Sequence, residues 1–313
     1  MKAPLVSILI PTLNGMEYLP QVFQQLTAQK VSFDFETVAV DSGSTDGTVA
    51  FLRTHADRVS QIDPNTFNHG LSRNYGIQQC RGEFVVLLVQ DATPASKNWL
   101  AELLKPMLAE TQIAGCYARQ RPRATASAIT RHYLAGWVAC QKAPRRSTFS
   151  NPSDLLDLEP MEQFLACVFD NVCSVIRKSV WEQYCFRETS IAEDLAWSKE
   201  VLLAGLDIVY TPEAQVVHSH DRSAGYEFRR TFLVHQRLYD LFGLQTIGSL
   251  RQLARAIAVS LPLHLRCLID EPNAVSPRAY WRGVALALAL PLGQYLGAAT
   301  EARGWHFIRI GGA

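Results

Sequence analysis

Residues 36–48 read Glu36-Thr37-Val38-Ala39-Val40-Asp41-Ser42-Gly43-Ser44-Thr45-Asp46-Gly47-Thr48, and this stretch decides the fold. Glu36 to Asp41 has a strand-forming centre that ends at a carboxylate and gives way to Ser and Gly, residues of turns. Asp46-Gly47-Thr48 then starts a helix, which Asp46 can cap through its carboxylate. Strand, polar turn and helix make one unit of an α/β sheet, and the same unit repeats on both sides. Upstream, Val6 to Ile10 reads as a buried strand, and Leu19, Val22, Phe23 and Leu26 share one helical face. Downstream come a strand at Val59 to Ile62, a helix over Leu71 to Gln79 and a strand at Phe84 to Val89. Trp99, Leu100, Leu103, Leu104 and Met107 mark another helix. Near-continuous apolar strands are what a sheet covered on both faces requires.

The chain has 313 residues, 48% hydrophobic and 19% charged, enough for one large domain or two small ones and too apolar for disorder. A formal net charge of +1 argues against a nucleic-acid binder, and none is expected as a partner. Seven cysteines show no C-x-x-C spacing, which fits reduced thiols and neither a disulfide framework nor a zinc site. The apolar run Leu5 to Ile10 stops at Pro11 and is too short for a signal peptide. The longest apolar stretch, Val284 to Leu292, falls short of the roughly 18 residues of a membrane span. The expectation is a cytoplasmic protein that touches a membrane.

Charge is uneven along the chain. Residues 111–153 hold seven basic side chains and no acidic one, while 222–313 hold eleven Arg against five acids. Such regions suit a phosphate-bearing acceptor or an anionic membrane surface, or are simply solvated surface. Pro122, Pro144, Pro152 and Pro160 point to acceptor-side loops over 111–165. In the C-terminal part Leu250, Leu253, Ala254, Ile257, Leu261 and Leu265 form a helical face that alternates with Arg251, Arg255 and Arg266. Tyr280-Trp281-Arg282 before an apolar helix is the composition of an interfacial segment.

Four constellations stand where an open α/β sheet binds ligands, at the carboxyl ends of strands. Pro11-Thr12-Leu13-Asn14 follows the first strand, and Asp41 ends the second, placed to accept an imide N–H of a uracil or thymine ring. Gln90-Asp91-Ala92-Thr93-Pro94 follows the most hydrophobic strand, and Asp91 is placed to meet a divalent cation bridging two phosphates. Ala192-Glu193-Asp194 opens a helix that Gly205 closes. Two acids there favour the helix N-terminus, or supply a general base at Asp194. His218 and His220 lie two apart in a strand, on one face, as surface residues or as part of a metal site.

Taken in order, these pieces, with Arg73-Asn74-Tyr75-Gly76 and Pro212 through His220, resemble glycosyltransferase family 2, the inverting transferases of the GT-A fold, over residues 4–220. Phe67-Asn68-His69-Gly70 and Gln90-Asp91-Ala92 further resemble the bacterial rhamnosyltransferase branch. The resemblance implies a Rossmann-like, mostly parallel central sheet flanked by helices, with a C-terminal helical extension. It implies a 1–221 catalytic domain, with a nucleotide-sugar half at 1–110 and an acceptor and catalytic half at 111–221, followed by an Arg-rich extension at 222–313. The donor it implies is dTDP-β-L-rhamnose and the acceptor a lipid-linked glycan or lipopolysaccharide precursor, at the cytoplasmic face of the inner membrane. Pro11, Thr12, Asn14 and Asp41 would shape the base site, and Arg73 and Asn74 the donor pocket. Asp91 and His220 would hold Mg²⁺ or Mn²⁺. Asp194 would be the base, with Glu193 supporting it. The family's usual aspartate-x-aspartate is altered here, with Thr93 in the second acidic position.

Other readings of the α/β start meet obstacles. No G-x-G-x-x-G follows the first strand and no G-x-x-x-x-G-K-[ST] occurs, which disfavours dinucleotide oxidoreductases and P-loop enzymes. A non-catalytic sugar-binding protein on the same fold is favoured only by Thr93, against Asp41, Asp91 and Asp194 together.

Overall fold

The structure, a computed structural model, describes residues 3–269 and 276–304. Parts of the expected 222–313 extension, residues 270–275 and 305–313, lie outside the described residues. In chain order the strands are β1 (Val6–Thr12), β2 (Phe35–Asp41), β3 (Arg58–Gln61), β4 (Phe84–Leu88), β5 (Thr93–Pro94), β6 (Ile113–Arg121), β7 (Arg145–Ser147), β8 (Cys173–Arg177) and β9 (Asp207–Val217). The helices are α1 (Leu19–Thr27), α2 (Thr48–His55), α3 (His69–Gln79), α4 (Trp99–Ala109), α5 (Ala128–Gly136), α6 (Asp154–Asp157), α7 (Pro160–Ala166), α8 (Lys178–Trp181), α9 (Glu193–Leu203), α10 (Ala224–Phe242), α11 (Leu250–Ile269) and α12 (Pro277–Ala302).

One sheet runs β3-β2-β1-β4-β8-β6-β9-β5, with β7 also on β9. The first four strands are parallel. β8 enters antiparallel between β4 and β6, and β6 and β9 are parallel to each other. The parallel half is what the strand–helix alternation dictates, since parallel neighbours need a crossover. Successive residues of β1 serve opposite faces. Leu9 packs with Val38, Val40 and Ile77 on one side, while Ile8 and Ile10 pack with Leu19, Val22 and Val86 on the other. Each such side chain taken from water contributes about 1.5–3 kcal/mol, so both faces must stay covered.

Two expectations are corrected. Residues 111–165 are not mainly loops, because β6 lies inside the sheet between β8 and β9, and α5, β7, α6 and α7 follow it. The prolines fall at or beyond element ends, where a missing N–H costs nothing. The second correction concerns helix length. α11 and α12 are 20 and 26 residues long and hold 18-residue windows of mean hydropathy 1.2 and 1.3, enough by length and composition to cross a membrane, while 56% of the α12 window is buried within the protein. The uninterrupted apolar run undercounts them because isolated arginines and a glutamine are tolerated within the helices. α12 packs closely on α10, where a Cβ on Gly297 would stand 2.2 Å from the Phe232 carbonyl oxygen. Leu238 and Phe242 of α10 join the same apolar cluster as Trp197 and Tyr210, so the packing is continuous across residue 221.

Candidate active site

The carboxyl ends of β1, β2 and β4 lie side by side at one end of the sheet, knitted by side chains from the turns. Thr12 donates to Asp41 Oδ2 at 3.1 Å, and Asp41 Oδ1 accepts the amides of Gly43 and Ser44 at 3.0 and 2.9 Å. Ser44 Oγ donates to Asp41 Oδ2 at 2.5 Å. These four bonds use the carboxylate's acceptor capacity, so Asp41 organises its own loop, and a base reaching it must displace one of them. Gly43 permits that turn with φ +96, and a Cβ there would stand 2.4 Å from Pro64. Asn14, at φ 49, donates its amide to Ser44 Oγ at 2.7 Å and accepts Thr45 N–H at 2.9 Å. Pro11 sits half-buried one residue before Thr12. Gln90 clamps the Leu13 backbone on both sides, at 2.8 and 2.9 Å, which ties the first loop to the residue before Asp91. The expected cap is corrected: Gly47, at φ 94, holds the cap position of α2 without a side-chain cap bond, and Asp46 one residue earlier accepts the Thr48 amide at 3.1 Å and its hydroxyl at 2.6 Å.

Asp91 is buried and faces two imidazoles. His220 Nε2 lies 2.7 Å from Asp91 Oδ2, and His218 Nε2 lies 3.6 Å from Oδ1. The three potential ligand atoms lie within 4.8 Å of one another. β9 ends at Val217, opposite Thr93 of β5, so the histidines that follow β9 converge on Asp91 at the place where the family pattern expects a second acid. Burial pushes the carboxyl of Asp91 up, but the bond from His220 and the charges of His218, His220 and Arg123 hold it below the ordinary carboxylate range. Burial pushes His218 down to about 4, so its ring is neutral. One carboxylate and two imidazoles are a plausible set for a divalent transition ion such as Mn²⁺, whereas Mg²⁺ prefers oxygen ligands. His218 was noticed in the sequence only as the partner of His220, and the structure adds it to the cluster. Arg123, unnoticed except as one of a basic run, donates to the Asp91 and Ser219 carbonyls and stacks 4.7 Å from the Tyr18 ring.

Glu193 and Asp194 lie at the first turn of α9. Ala192 before them is left-handed at φ 58. It and Asn14 are the non-glycine residues at positive φ among the described residues, and each adjoins a candidate site segment, where backbone strain tends to collect. Arg73 Nη1 pairs with Glu193 Oε1 at 2.9 Å, with both side chains buried. Asn171 donates its side-chain amide to Glu193 at 3.1 Å, and its backbone N–H lies 3.4 Å from Asp194 Oδ2. Burial works to raise Glu193, yet Arg73, His69 and Asn171 hold it ionised below its ordinary value. Asp194 is pushed up to about 8, first by burial and then by the charges of Glu193 and Asp170. Two neighbouring acids therefore have opposite environments, the pattern that separates acid–base roles.

Arg73 thus meets Glu193, while the side-chain amide of Asn74 is spent on the Phe186 backbone and Trp181 Nε1 at 2.8–3.1 Å. Asn74 fixes the segment leading to α9. Asp170-Asn171 went unnoticed in the sequence because two polar residues before a short strand look like any turn. Through Gln120, Asp170 reaches His218, and Asn171 reaches both acids of α9, so this dipeptide links the Asp91 cluster to the Glu193–Asp194 pair.

The sequence model of Glycosyl transferase family 2 matches residues 7–184. The O-antigen chain rhamnosyltransferase WbaN of Salmonella anatum is 30% identical over 237 residues, 73% of this chain and 70% of that protein. RfbN of Salmonella typhimurium, described in the same words, is 29% identical over 72% of this chain and 70% of its own. Among solved structures, the Pyrobaculum calidifontis mannosyltransferase PcManGT in complex with GDP-Man and Mn²⁺ superposes with TM-score 0.54 at 17% identity, covering 99% of this chain and 77% of that one. That likeness establishes a shared GT-A architecture.

Proposed function

Because this chain belongs to glycosyl transferase family 2, we propose that it transfers L-rhamnose from dTDP-β-L-rhamnose to a hydroxyl of a lipid-linked glycan, an O-antigen or related polysaccharide precursor. The donor reading is supported by the two Salmonella relatives, both O-antigen chain rhamnosyltransferases. The observation that carries the mechanism is the split between Glu193, kept ionised by Arg73, and Asp194, raised to about 8.

A sugar hydroxyl is a poor nucleophile, and Asp194 takes its proton as it attacks the anomeric carbon from the face opposite the leaving diphosphate. The product is an α-L-rhamnoside, with inversion. Glu193 and Arg73 hold the first turn of α9 and help position the acceptor. Asp91, His218 and His220 would hold Mn²⁺ or Mg²⁺, with Mn²⁺ better suited to the imidazoles. Such an ion would supply charge neutralisation for the departing nucleoside diphosphate. Thr12, Asn14 and the Asp41 loop line the base site, with Pro11 setting the exit of β1. Arg73 and Asn74 fix the wall between the donor pocket and α9.

In this reading residues 1–110 serve the nucleotide sugar, 111–221 the acceptor and catalysis, and 222–313 the membrane. The exposed side of α11 carries Arg251, Arg255 and Arg266 with Val259 and Ile269 among them, and Trp281 stands out near the start of α12. Arginines beside exposed apolar side chains suit the headgroup region of an anionic cytoplasmic leaflet, where a lipid-linked acceptor resides.

The test is transfer from dTDP-β-L-rhamnose to a lipid-linked oligosaccharide, with the anomeric configuration read by NMR. An α-linked product is expected. A β-linked product would overturn the inverting mechanism, and transfer only from another nucleotide sugar would overturn rhamnose.

A further inference from the structure

We infer that Gln120 and Asp170 are positioning residues that set His218 in the tautomer whose bare Nε2 faces Asp91. Both side chains are more than nine-tenths buried. Gln120 Nε2 lies 2.6 Å from Asp170 Oδ2, and the Asp170 carboxylate is itself fixed, with Trp137 Nε1 on Oδ2 and Val172 N–H on Oδ1, each at 3.0 Å. With both Asp170 oxygens accepting N–H donors, the Gln120 atom facing it is the amide nitrogen. The amide oxygen therefore faces the other way, 3.0 Å from His218 Nδ1. Nδ1 must carry the proton, and in a neutral ring Nε2 is left with its lone pair.

The two histidines differ in consequence. His220 Nε2, at 2.7 Å from Asp91 Oδ2, donates a hydrogen bond. His218 Nε2 stands 3.6 Å from Asp91 Oδ1, beyond hydrogen-bond reach, and in the Nδ1–H tautomer its lone pair faces the carboxylate. Such a gap is repulsive until a cation enters it. The Asp170–Gln120 relay thus prepares one ligand in advance, as the outer partners of metal-bound histidines do. It also ties that ligand to the segment carrying Asn171, which contacts Glu193 and Asp194.

The inference rests on the cation reading of the Asp91 cluster, and the experiment separates the two. On the ¹⁵N-histidine-labelled protein, NMR reads the His218 tautomer without metal, with His218→Asn identifying the signal. Nδ1–H is expected, and Nε2–H would overturn the relay. Mn²⁺ affinity is then measured by calorimetry for the wild type, Gln120→Met and Asp170→Asn. In Asp170→Asn the new amide lets Gln120 reverse, presenting NH₂ to Nδ1 and switching the tautomer. Binding about 10–100-fold weaker is expected in both variants. Wild-type affinity in a folded Gln120→Met protein would overturn the relay alone. Absence of Mn²⁺ binding by the wild type would overturn the cation reading itself.

Discussion

Arg73 Nη1 stands 2.9 Å from Glu193 Oε1, both side chains out of water, and the guanidinium sets Glu193 apart from its neighbour Asp194, which burial and the Glu193 charge raise. Glu193 is held by the guanidinium, and Asp194 is left with a raised affinity for protons. Asp194→Asn should lower kcat by about 10²–10⁴-fold while nucleotide binding, followed by calorimetry, stays unchanged. Equal activity in the variant would remove Asp194 from the mechanism.

The same raised value shapes the pH profile. Since the base works ionised, kcat/KM should climb roughly tenfold per pH unit below about 8 and flatten above it. Initial rates at saturating metal and fixed ionic strength read this directly. A profile flat from pH 6 to 9 would count against Asp194 as the base.

Stability should move in the opposite sense. Asp194 is raised from 3.8 to about 8 on folding, so between those values the native state keeps a proton that the unfolded chain has released. Its contribution is fully favourable below the unfolded value and declines as pH rises toward 8. Asp194→Asn should therefore melt above the wild type at pH 8 to 9, with the difference closing toward pH 4. A gap that ignores pH would refute the linkage.

Removing the guanidinium strands a buried charge. Arg73→Leu should cost about 3–5 kcal/mol in urea unfolding, and adding Glu193→Gln should restore part of it. Losses that simply add would mean that the two side chains are not coupled.

The proposed membrane face is tested without disturbing the α10–α12 contact. Val259 and Trp281 are 62% and 67% exposed, so Val259→Glu with Trp281→Glu should leave folding intact. Co-sedimentation with phosphatidylglycerol vesicles should fall at least tenfold and be salt-sensitive in the wild type. Unchanged sedimentation would argue that these residues meet something other than lipid.

Much of this architecture is written locally. β1, β2 and β4 are near-continuous apolar runs because both faces are covered, and β1 and β2 end at Thr12 and Asp41, while β4 ends at Leu88, two residues before Gln90 and Asp91. Asp91, Glu193 and Asp194 are legible as acids at element boundaries. The remainder depends on distance in space. Gln120, Asp170 and Asn171 carry no local signature, since their meaning comes from β6 lying between β8 and β9. Likewise, the occupied acceptors of Asp41 and the spent amide of Asn74 emerge only once Ser44 and Phe186 are folded against them. Helix length in α11 and α12 escaped the apolar-run criterion because charges on one side interrupt the sequence without interrupting the helix.

The most direct test of the central claim is calorimetric titration of dTDP, UDP, GDP and CMP, each with Mn²⁺ and then with chelator. Binding of dTDP in preference to the others, lost when the metal is removed or when Asp91→Asn is introduced, is the predicted result. Nucleotide binding that ignores both the chelator and Asp91→Asn would contradict the account, because the Asp91, His218 and His220 cluster would then have no part in holding the donor.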